Sequence, residues 1–257
     1  MLADRYAGIV LDLDGVCYRG SEAVPGAAEA VAALRDRGLG LVFATNNARR
    51  TPAAVAAKLT RLGFPAEPDE VVTSSVAAAA HIAPGTRCYV IGMDGLRAPL
   101  TDRGAVLTDD YRTADAVVVG IDLELTWRDL RAATLALGRG ARFVGTNADA
   151  TFPDPEGLVP GNGATLAALE TASGRAPEVI GKPASPLFDA ARARLPAGPV
   201  LMVGDRVDTD VAGAAALGWD SALVLTGVAS ADDAASADPG PTYVLDDLGG
   251  LVADAAA

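Results

Sequence analysis

The sequence has few residues of several kinds, and each scarcity argues against a class of protein. It holds two cysteines, one histidine and no glutamine in 257 residues. Cys17 and Cys88 have neither metal-ligand spacing nor the number that a disulfide framework needs, which suits a reducing compartment. A Ser-His-Asp mechanism is disfavoured, because the single histidine, His81, stands just before the breaker Pro84 and is typical of a surface or packing residue.

Long apolar runs are also missing. No uninterrupted stretch approaches the roughly 18 residues that a membrane helix needs. The N-terminal sequence MLADRY lacks the basic segment and the apolar run of a secretory signal. We therefore expect a cytoplasmic protein that does not bind membranes.

Positive charge is scarce as well, with 21 basic against 33 acidic side chains and a net charge of −12. Nucleic acids and anionic membranes bind clustered Lys and Arg, so we expect neither as a partner. An anionic substrate must then be captured by local positive charge. Lys58 and Lys182 are the only lysines, and asparagine occurs four times. In a sequence this biased, a residue of a rare type is found more often at positions where a common type cannot replace it.

Apolar segments of strand length alternate with alanine-rich segments of helical period. This alternation is typical of a parallel sheet with helices on its faces, so we predict an α/β fold. Each of three predicted helices is followed by a glycine, which ends a helix because it adopts the left-handed turn without steric strain. The predicted strands lie near residues 8–13, 39–44, 200–203 and 222–225, and the helices near residues 27–37, 52–62 and 209–217.

A second group of elements lies in the middle of the chain, near residues 88–91, 117–120, 126–137, 142–145 and 164–172. Pro84-Gly85 precedes this group, and a segment from Pro177 to Pro183 follows it; such breakers mark linkers. We therefore predict a core formed by residues 1–83 and 180–257, with residues 84–179 inserted as a second α/β domain. Residues 229–240, rich in Ala, Asp and Ser, are predicted to be a surface loop.

Three predicted strands of the core end in polar residues. The first ends in LDLDG, the second in ATNN and the third in VGDRVDTD. The carboxyl ends of parallel strands share one edge of an open sheet, and ligands bind in the crevice there. We therefore expect Asp12, Asp14, Thr45 and Asp205 to converge, with Lys182 of the GKP segment supplying a flexible cation.

Asp12 and Asp14 stand one residue apart at the end of a buried strand. Ionised carboxylates this close repel each other and lose hydration, which a fold tolerates when a cation lies between them. Several carboxylates and one lysine around a crevice are typical of a divalent metal with an anionic substrate. Oxygen ligands and retained waters are what Mg²⁺ prefers, so we predict Mg²⁺ as the cofactor.

The motifs DLDG, TNN, GKP and GDRVDTD occur in this order, each at a predicted strand or loop end. In these motifs the chain resembles the haloacid dehalogenase superfamily of phosphatases over nearly its whole length. The insert contains GTNADATFP and PGNG, and it is similar to the α/β cap of the NagD-like and p-nitrophenyl phosphatase subgroup. The resemblance implies a Rossmann-like, doubly wound parallel-sheet core with an inserted α/β cap domain.

The resemblance also implies a catalytic role for the acids. Asp12 would attack phosphorus and carry an aspartyl phosphate. Asp14 would protonate the leaving alkoxide and then deprotonate the attacking water, and its backbone carbonyl would also bind the metal. Asp205 would be the other carboxylate ligand, with Asp210 supporting the metal. An acid at position 14 favours phosphate esters, because dehalogenases of the superfamily need neither that second acid nor a metal.

Further residues are implied to contact the substrate. Thr45 and Asn46 would bind phosphate oxygens, and Lys182 would supply charge to the phosphoryl group and to Asp12. Asn147 and Asp149 of the insert are candidate substrate-side residues, with a polar strand-to-loop turn as the alternative.

The resemblance leads to Mg²⁺-dependent hydrolysis of a small phosphorylated metabolite, and two other functions stay open. A phosphotransferase or phosphomutase would use the same phosphoaspartate. A non-catalytic protein that binds a phosphorylated ligand would lack one of the catalytic groups, yet all are present. Nothing in residues 84–179 selects the substrate.

Pairing of two copies through the cap is a further expectation. We also expect a local ion pair between Arg206 and Asp208.

Overall fold

The computed structural model describes residues 1–154 and 156–253, with the side chains of residues 153 and 154 outside the description. The chain divides into two compact units. The first comprises Met1–Thr45, Pro52–Val72 and Lys182–Ala257, and the second comprises Asn46–Thr51 and Thr73–Gly181. The sequence prediction placed residues 73–83 with the core, and its domain boundaries stay a prediction.

Strands and helices alternate along the described residues. The strands are β1 (Gly8–Leu11), β2 (Tyr18–Arg19), β3 (Glu22–Ala23), β4 (Gly40–Thr45), β5 (Val71–Thr73), β6 (Arg87–Ile91), β7 (Val106–Leu107), β8 (Ala116–Val119), β9 (Arg142–Gly145), β10 (Thr151–Asp154), β11 (Gly157–Pro160), β12 (Glu178–Val179), β13 (Val200–Gly204), β14 (Asp220–Val224) and β15 (Tyr243–Leu245). The α-helices are α1 (Ala27–Asp36), α2 (Pro52–Arg61), α3 (Ser74–Ala80), α4 (Asp94–Asp102), α5 (Trp127–Gly138), α6 (Asn162–Ser173), α7 (Ser185–Arg192), α8 (Ala212–Ala216) and α9 (Ala231–Ser236). Short 3₁₀ turns occupy Ala3–Arg5, Pro68–Glu70 and Leu248–Leu251, and a π-helical turn occupies Val207–Val211.

The first unit is built on a parallel sheet in the order β15-β14-β13-β1-β4-β5. Strand β1 pairs with both β4 and β13, in registers that place Leu11 beside Phe43 and Val203. Apolar residues fill β1 and β13 and are buried throughout, as parallel strands covered on both faces require. The strand order moves outward from β1 on both sides, which confirms the doubly wound α/β fold. The residues that follow β1, β4 and β13 therefore emerge at one edge of the sheet.

The core of the first unit joins this sheet to its helices. Val31 and Leu34 of α1 and Leu59 of α2 belong to the same buried cluster as Leu11 and Phe43. All five side chains are fully buried, and burying a side chain of this size contributes about 1.5–3 kcal/mol. The packing fixes the strand ends on which the polar residues stand.

The second unit has its own parallel sheet, in the order β12-β9-β8-β6-β7. Val117 and Val119 of β8 pack in one buried cluster with Leu137 of α5 and Leu166 of α6. Strands β10 and β11 form a separate antiparallel hairpin. The predicted α/β character of this segment is therefore confirmed.

Some elements differ from the sequence prediction. Residues 229–240 are not only a loop, because helix α9 forms there where Ser230 and Asp233 make a reciprocal cap at its start. Helix α4 was not predicted, since Pro99 interrupts its pattern. The helix predicted near residue 209 begins as the π-helical turn and becomes α-helical at Ala212. Each helix in the described part of the chain is too short or too polar to span a bilayer.

Candidate active site

Asp12 follows directly on strand β1 and is held there by the sheet. Its backbone N–H donates to the carbonyl oxygen of Val203 at 2.8 Å, which continues the ladder between β1 and β13 by one residue. The residue is only 8% exposed, and its Oδ1 lies 2.6 Å from Nζ of Lys182. Asp12 is therefore a fixed and largely dehydrated carboxylate that is paired with a cation.

Lys182 places one ammonium group among three acceptors. Its Nζ lies 2.6 Å from Asp12 Oδ1, 2.7 Å from Asp210 Oδ1 and 3.3 Å from the carbonyl oxygen of Ala44. Burial would lower the pKa of this ammonium, but the two carboxylates outweigh burial and raise the pKa above its ordinary value. Lys182 therefore stays charged, and it links the ends of β1 and β4 to the turn after β13.

Asp205 and Asp210 are positioned by the segment that follows β13. Asp205 comes directly after the strand, and its Oδ2 accepts a hydrogen bond from the backbone N–H of Val228 at 2.8 Å. Asp210 lies in the π-helical turn, where its Oδ2 accepts the backbone N–H of Arg206 at 3.2 Å. Both side chains are thus aimed by backbone contacts before any ligand binds.

A set of carboxylate oxygens suited to a metal ion results from this arrangement. Among the residues that the structure describes, Asp12, Asp205 and Asp210 form a buried group whose candidate ligand atoms lie within 4.8 Å of one another. Oδ1 of Asp205 is buried and, within the described residues, accepts no hydrogen bond. Such an acceptor is unfavourable unless a donor or a cation reaches it, so the group fits a hard divalent ion.

The pKa values of the three acids reflect their crowding. Burial raises the pKa of Asp12 to about 6, although the positive charge of Lys182 acts to lower it. Burial and the charge of Asp210 raise the pKa of Asp205 to about 6. Burial also raises the pKa of Asp210 to about 6 in spite of Lys182. One ammonium does not compensate three buried carboxylates, so their ionised form at neutral pH favours a further cation.

Three glycines leave the space that the carboxylates fill. A Cβ at Gly204 would collide with the side chain of Asp210, and a Cβ at Gly15 or Gly227 would collide with Oδ2 of Asp205. Gly15 also has a φ of +84°, which side-chain-bearing residues rarely adopt. Sequence reasoning missed Gly227, because it lies outside the four motifs and its close approach to Asp205 is visible only in the fold.

Asp14 and Thr45 lie at the same sheet edge as Asp12. Asp14 directly precedes the turn at Gly15 and is exposed. Desolvation raises the pKa of Asp14, and the positive charge of Lys58 opposes the rise. Thr45 is the buried last residue of β4. The structure thus brings together the strand ends that the sequence predicts to converge.

The remaining predicted residues meet within the second unit. Asn147 Nδ2 donates to Asp149 Oδ2 at 2.6 Å, and Asn46 Nδ2 donates to Asp149 Oδ1 at 3.4 Å. Asn162 Nδ2 donates to the carbonyl oxygen of Asn147 at 2.8 Å. Sequence reasoning gave Asn162 no role, although the scarcity of asparagine was a signal for it. Contact of Asn46, Asn147 and Asp149 with substrate stays a prediction.

Two smaller expectations concern the surroundings of the site. Arg206 and Asp208 form the predicted ion pair, with Nη2 and Oδ2 2.8 Å apart, which is confirmed. Cys17 is fully buried, its Sγ lies 3.5 Å from the carbonyl oxygen of Asp12, and burial raises the pKa of its thiol. Burial therefore disfavours the thiolate form, which agrees with a packing role.

Comparison with known proteins agrees with this geometry. The haloacid dehalogenase-like hydrolase family matches residues 9–106, and a HAD-hydrolase-like family matches residues 179–251. An acid sugar phosphatase of Staphylococcus haemolyticus is 38% identical over 249 residues, which cover 95% of this chain and 94% of the relative. The crystal structure of glycerol phosphate phosphatase from Mycobacterium tuberculosis in complex with magnesium has a TM-score of 0.91 and 40% identity, covering 97% of this chain and 77% of that one. NagD from E. coli K-12 has a TM-score of 0.89 and 31% identity, covering 96% and 98%.

The fold, the paired Asp12 and Lys182, and these relatives together define an enzyme of the phosphatase class. The chain belongs to the haloacid dehalogenase-like hydrolase family, in its NagD-like subgroup.

Proposed function

We propose that this phosphatase hydrolyses small-molecule phosphate monoesters with Mg²⁺ as cofactor, through an aspartyl phosphate on Asp12. One observation supports the proposal most strongly. A buried carboxylate, Asp12, is held by the ammonium of Lys182 within the group of oxygens that Asp205 and Asp210 complete. The proposed nucleophile, a charged lysine and a candidate metal-binding set therefore lie together at one edge of the sheet.

The donor set fits Mg²⁺. All of its candidate atoms are carboxylate oxygens, and Oδ1 of Asp205 is buried without a hydrogen-bond donor in the described part of the chain. Asp12, Asp205 and Asp210 would hold the ion, and the backbone carbonyl of Asp14 is proposed to join them. When bound, the ion would offset the charge of the carboxylates and polarise a phosphoryl oxygen of the substrate. The similar glycerol phosphate phosphatase was crystallised in complex with magnesium.

The first chemical step transfers the phosphoryl group to the enzyme. A carboxylate oxygen of Asp12 attacks phosphorus, a new O–P bond forms, and the ester P–O bond breaks. Asp14 gives its proton to the leaving alkoxide, which departs as an alcohol. Lys182 holds Asp12 in place and stabilises charge on the phosphoryl oxygens, to which Thr45 is also proposed to bind.

The second step releases phosphate. Asp14, now a carboxylate, takes a proton from a water molecule as the water attacks phosphorus, and the bond between phosphorus and Asp12 breaks. Asp12 and Asp14 return to their starting forms. We also propose that Asn46, Asn147 and Asp149 contact the substrate. The proposal further assigns the second unit the role of a cap, through which two copies of the chain pair. It includes a cytoplasmic location.

Relatives do not fix the substrate. They include an acid sugar phosphatase, a glycerol phosphate phosphatase and a 5'-nucleotidase, so phosphorylated sugars, polyols and nucleotides are the classes to assay. A panel of such esters with Mg²⁺ should show release of inorganic phosphate without any added acceptor. Release that requires a second hydroxyl substrate would instead identify a phosphotransferase, and binding without turnover would identify a phospho-ligand sensor.

A further inference from the structure

Residues 161–163, Gly-Asn-Gly, lie at the start of helix α6, and the proposed mechanism gives them no part. Asn162 is the first residue of that helix and is fully buried. A buried amide is favourable when its polar atoms are paired. Oδ1 of Asn162, however, is buried and accepts no hydrogen bond within the described residues. The donors of this side chain must therefore explain why an asparagine occupies the position.

The donors of Asn162 face the ends of two neighbouring strands. Its Nδ2 lies 2.8 Å from the carbonyl oxygen of Asn147, 3.2 Å from that of Val119 and 3.5 Å from Oγ1 of Thr146. Val119 is the last residue of β8, and Thr146 directly follows β9. Asn162 therefore ties the start of α6 to the segment that leaves β9.

The order of donors and acceptors orients the side chain of Asn147. Since Asn162 directs N–H groups at this segment, Oγ1 of Thr146 acts as their acceptor, and the Thr146 hydroxyl donates its own proton to Oδ1 of Asn147 at 3.1 Å. Asn147 therefore turns Nδ2 towards Asp149 and donates to its Oδ2 at 2.6 Å. Each donor in this series points towards the carboxylate of Asp149.

The two glycines beside Asn162 hold the same segment by its backbone. The N–H of Gly161 donates to the carbonyl oxygen of Ala150 at 2.8 Å, and the N–H of Gly163 donates to that of Asp149 at 2.9 Å. A Cβ at Gly161 would collide with the carbonyl oxygen of Asp149, and a Cβ at Gly163 would collide with that of Ala148. The backbone that carries Asp149 is thus fixed from the start of α6.

The carboxylate of Asp149 is held by amides and keeps room for a ligand. Its Oδ2 accepts from Asn147, its Oδ1 accepts from Asn46 at 3.4 Å, and the residue is only half-buried. A carboxylate accepts about four hydrogen bonds and donates none. A hydroxyl group therefore suits its remaining lone pairs, whereas a second anion or an apolar group does not.

We propose that Asn162 is a positioning residue that favours phosphate esters of polyols and sugars, because it orients Asp149 to accept a hydroxyl of the leaving group. This inference rests on the proposed function. Asn162 itself does not touch the substrate. The hydroxyl contact is the same before and during phosphoryl transfer, so its loss should raise KM and leave kcat nearly unchanged.

The test combines substitutions of Asn162 and Asp149 in a double-mutant cycle. Its substrate is the polyol or sugar phosphate for which the unaltered enzyme has the highest kcat/KM. Asn162→Ala should raise KM for this ester about threefold to tenfold and keep kcat within about twofold, as expected for one weakened hydrogen bond. Asp149→Ala should raise KM at least as much. In the Asp149→Ala protein, adding Asn162→Ala should change KM by less than about twofold.

Three controls accompany the cycle. p-Nitrophenyl phosphate has no hydroxyl on its leaving group, so its KM should stay within about twofold in every variant. Asn162→Asp keeps the shape of the side chain and removes its donors, so it should behave as Asn162→Ala. Thr165→Val alters a half-buried residue of the same helix and should leave kcat and KM of both esters unchanged.

The coupling between the two substitutions decides the outcome. KM does not depend on the fraction of folded enzyme, so reduced folding of a variant does not imitate the expected effect. Equal rises in KM with and without Asp149, equal rises for both esters, or a wild-type KM in Asp149→Ala or Asn162→Ala would overturn the inference. Hydrolysis of p-nitrophenyl phosphate but of no polyol or sugar phosphate would also overturn it. If the unaltered enzyme with Mg²⁺ hydrolyses no ester of the panel, the proposed function itself fails.

Discussion

Replacing Asp12 by asparagine should stop turnover and, without metal, make the protein more stable at alkaline pH. The pKa of Asp12 is raised from 3.8 to about 6, with burial as the largest cause. That difference corresponds to on the order of 3 kcal/mol in favour of the protonated form of the folded state. The stability associated with the protonated carboxyl is present below pH 3.8 and is lost as the pH rises through about 6. Asparagine cannot ionise, so Asp12→Asn should avoid this loss.

Urea denaturation in EDTA at pH 4.5 and pH 8 measures the effect. We expect Asp12→Asn to be more stable than the wild type by about 1 kcal/mol at pH 4.5 and by up to about 3 kcal/mol at pH 8. Asp208→Asn is the matched control, because the Asp208 side chain is 66% exposed and pairs only with the neighbouring Arg206 among the ion pairs described here. Its stability relative to the wild type should change little between the two pH values.

The same variant tests the nucleophile. With Mg²⁺, Asp12→Asn should lose at least about a thousandfold in kcat, because no carboxylate remains to accept the phosphoryl group. Wild-type turnover by this variant would refute Asp12 as the nucleophile. An Asp12→Asn protein with no extra stability at alkaline pH would refute the electrostatic crowding of the three carboxylates.

Two further predictions concern the metal. Mg²⁺ affinity measured by isothermal titration calorimetry should rise as the pH increases through about 6, because Asp12, Asp205 and Asp210 must lose protons to bind the ion; equal affinity at pH 5 and pH 7.5 would contradict it. Gly227→Ala should weaken the thermal stabilisation by Mg²⁺, because the added Cβ would collide with the side chain of Asp205. Gly138→Ala is the control and should leave this stabilisation unchanged, because a Cβ there meets no atom within 4 Å. A Gly227→Ala protein stabilised by Mg²⁺ as fully as the wild type would show that Asp205 is not held as described.

The sequence predicts the convergence of the acids because that convergence follows from general rules of the fold. Buried apolar runs identify β1 and β13, and parallel strands must end at a common edge. Asp12 directly follows β1 and Asp205 directly follows β13, so their proximity can be predicted without knowledge of side-chain packing. Lys182 was predictable as a cation near them, although its simultaneous contact with Asp12 and Asp210 was not.

Other features depend on tertiary contacts that local patterns do not encode. The π-helical turn shifts Asp210 from an ordinary helical position, so its contact with Lys182 depends on local geometry rather than on spacing. The contact of Lys58 with the ring of Tyr18 joins α2 to strand β2, about 40 residues earlier in the chain. Helix α9 was missed because its cap residues, Ser230 and Asp233, lie in a tract whose composition resembles a loop.

Asp12 is the proposed acceptor of the phosphoryl group. Rapid quenching of the enzyme during turnover of a phosphate ester with Mg²⁺, followed by trypsin digestion and fragmentation of the peptide of residues 6–19, locates the phosphoryl group directly. We expect a phosphoryl group on Asp12 and none on Asp14. A phosphoryl group on another residue, or fast hydrolysis with no phosphorylated enzyme at any quench time, would contradict this expectation.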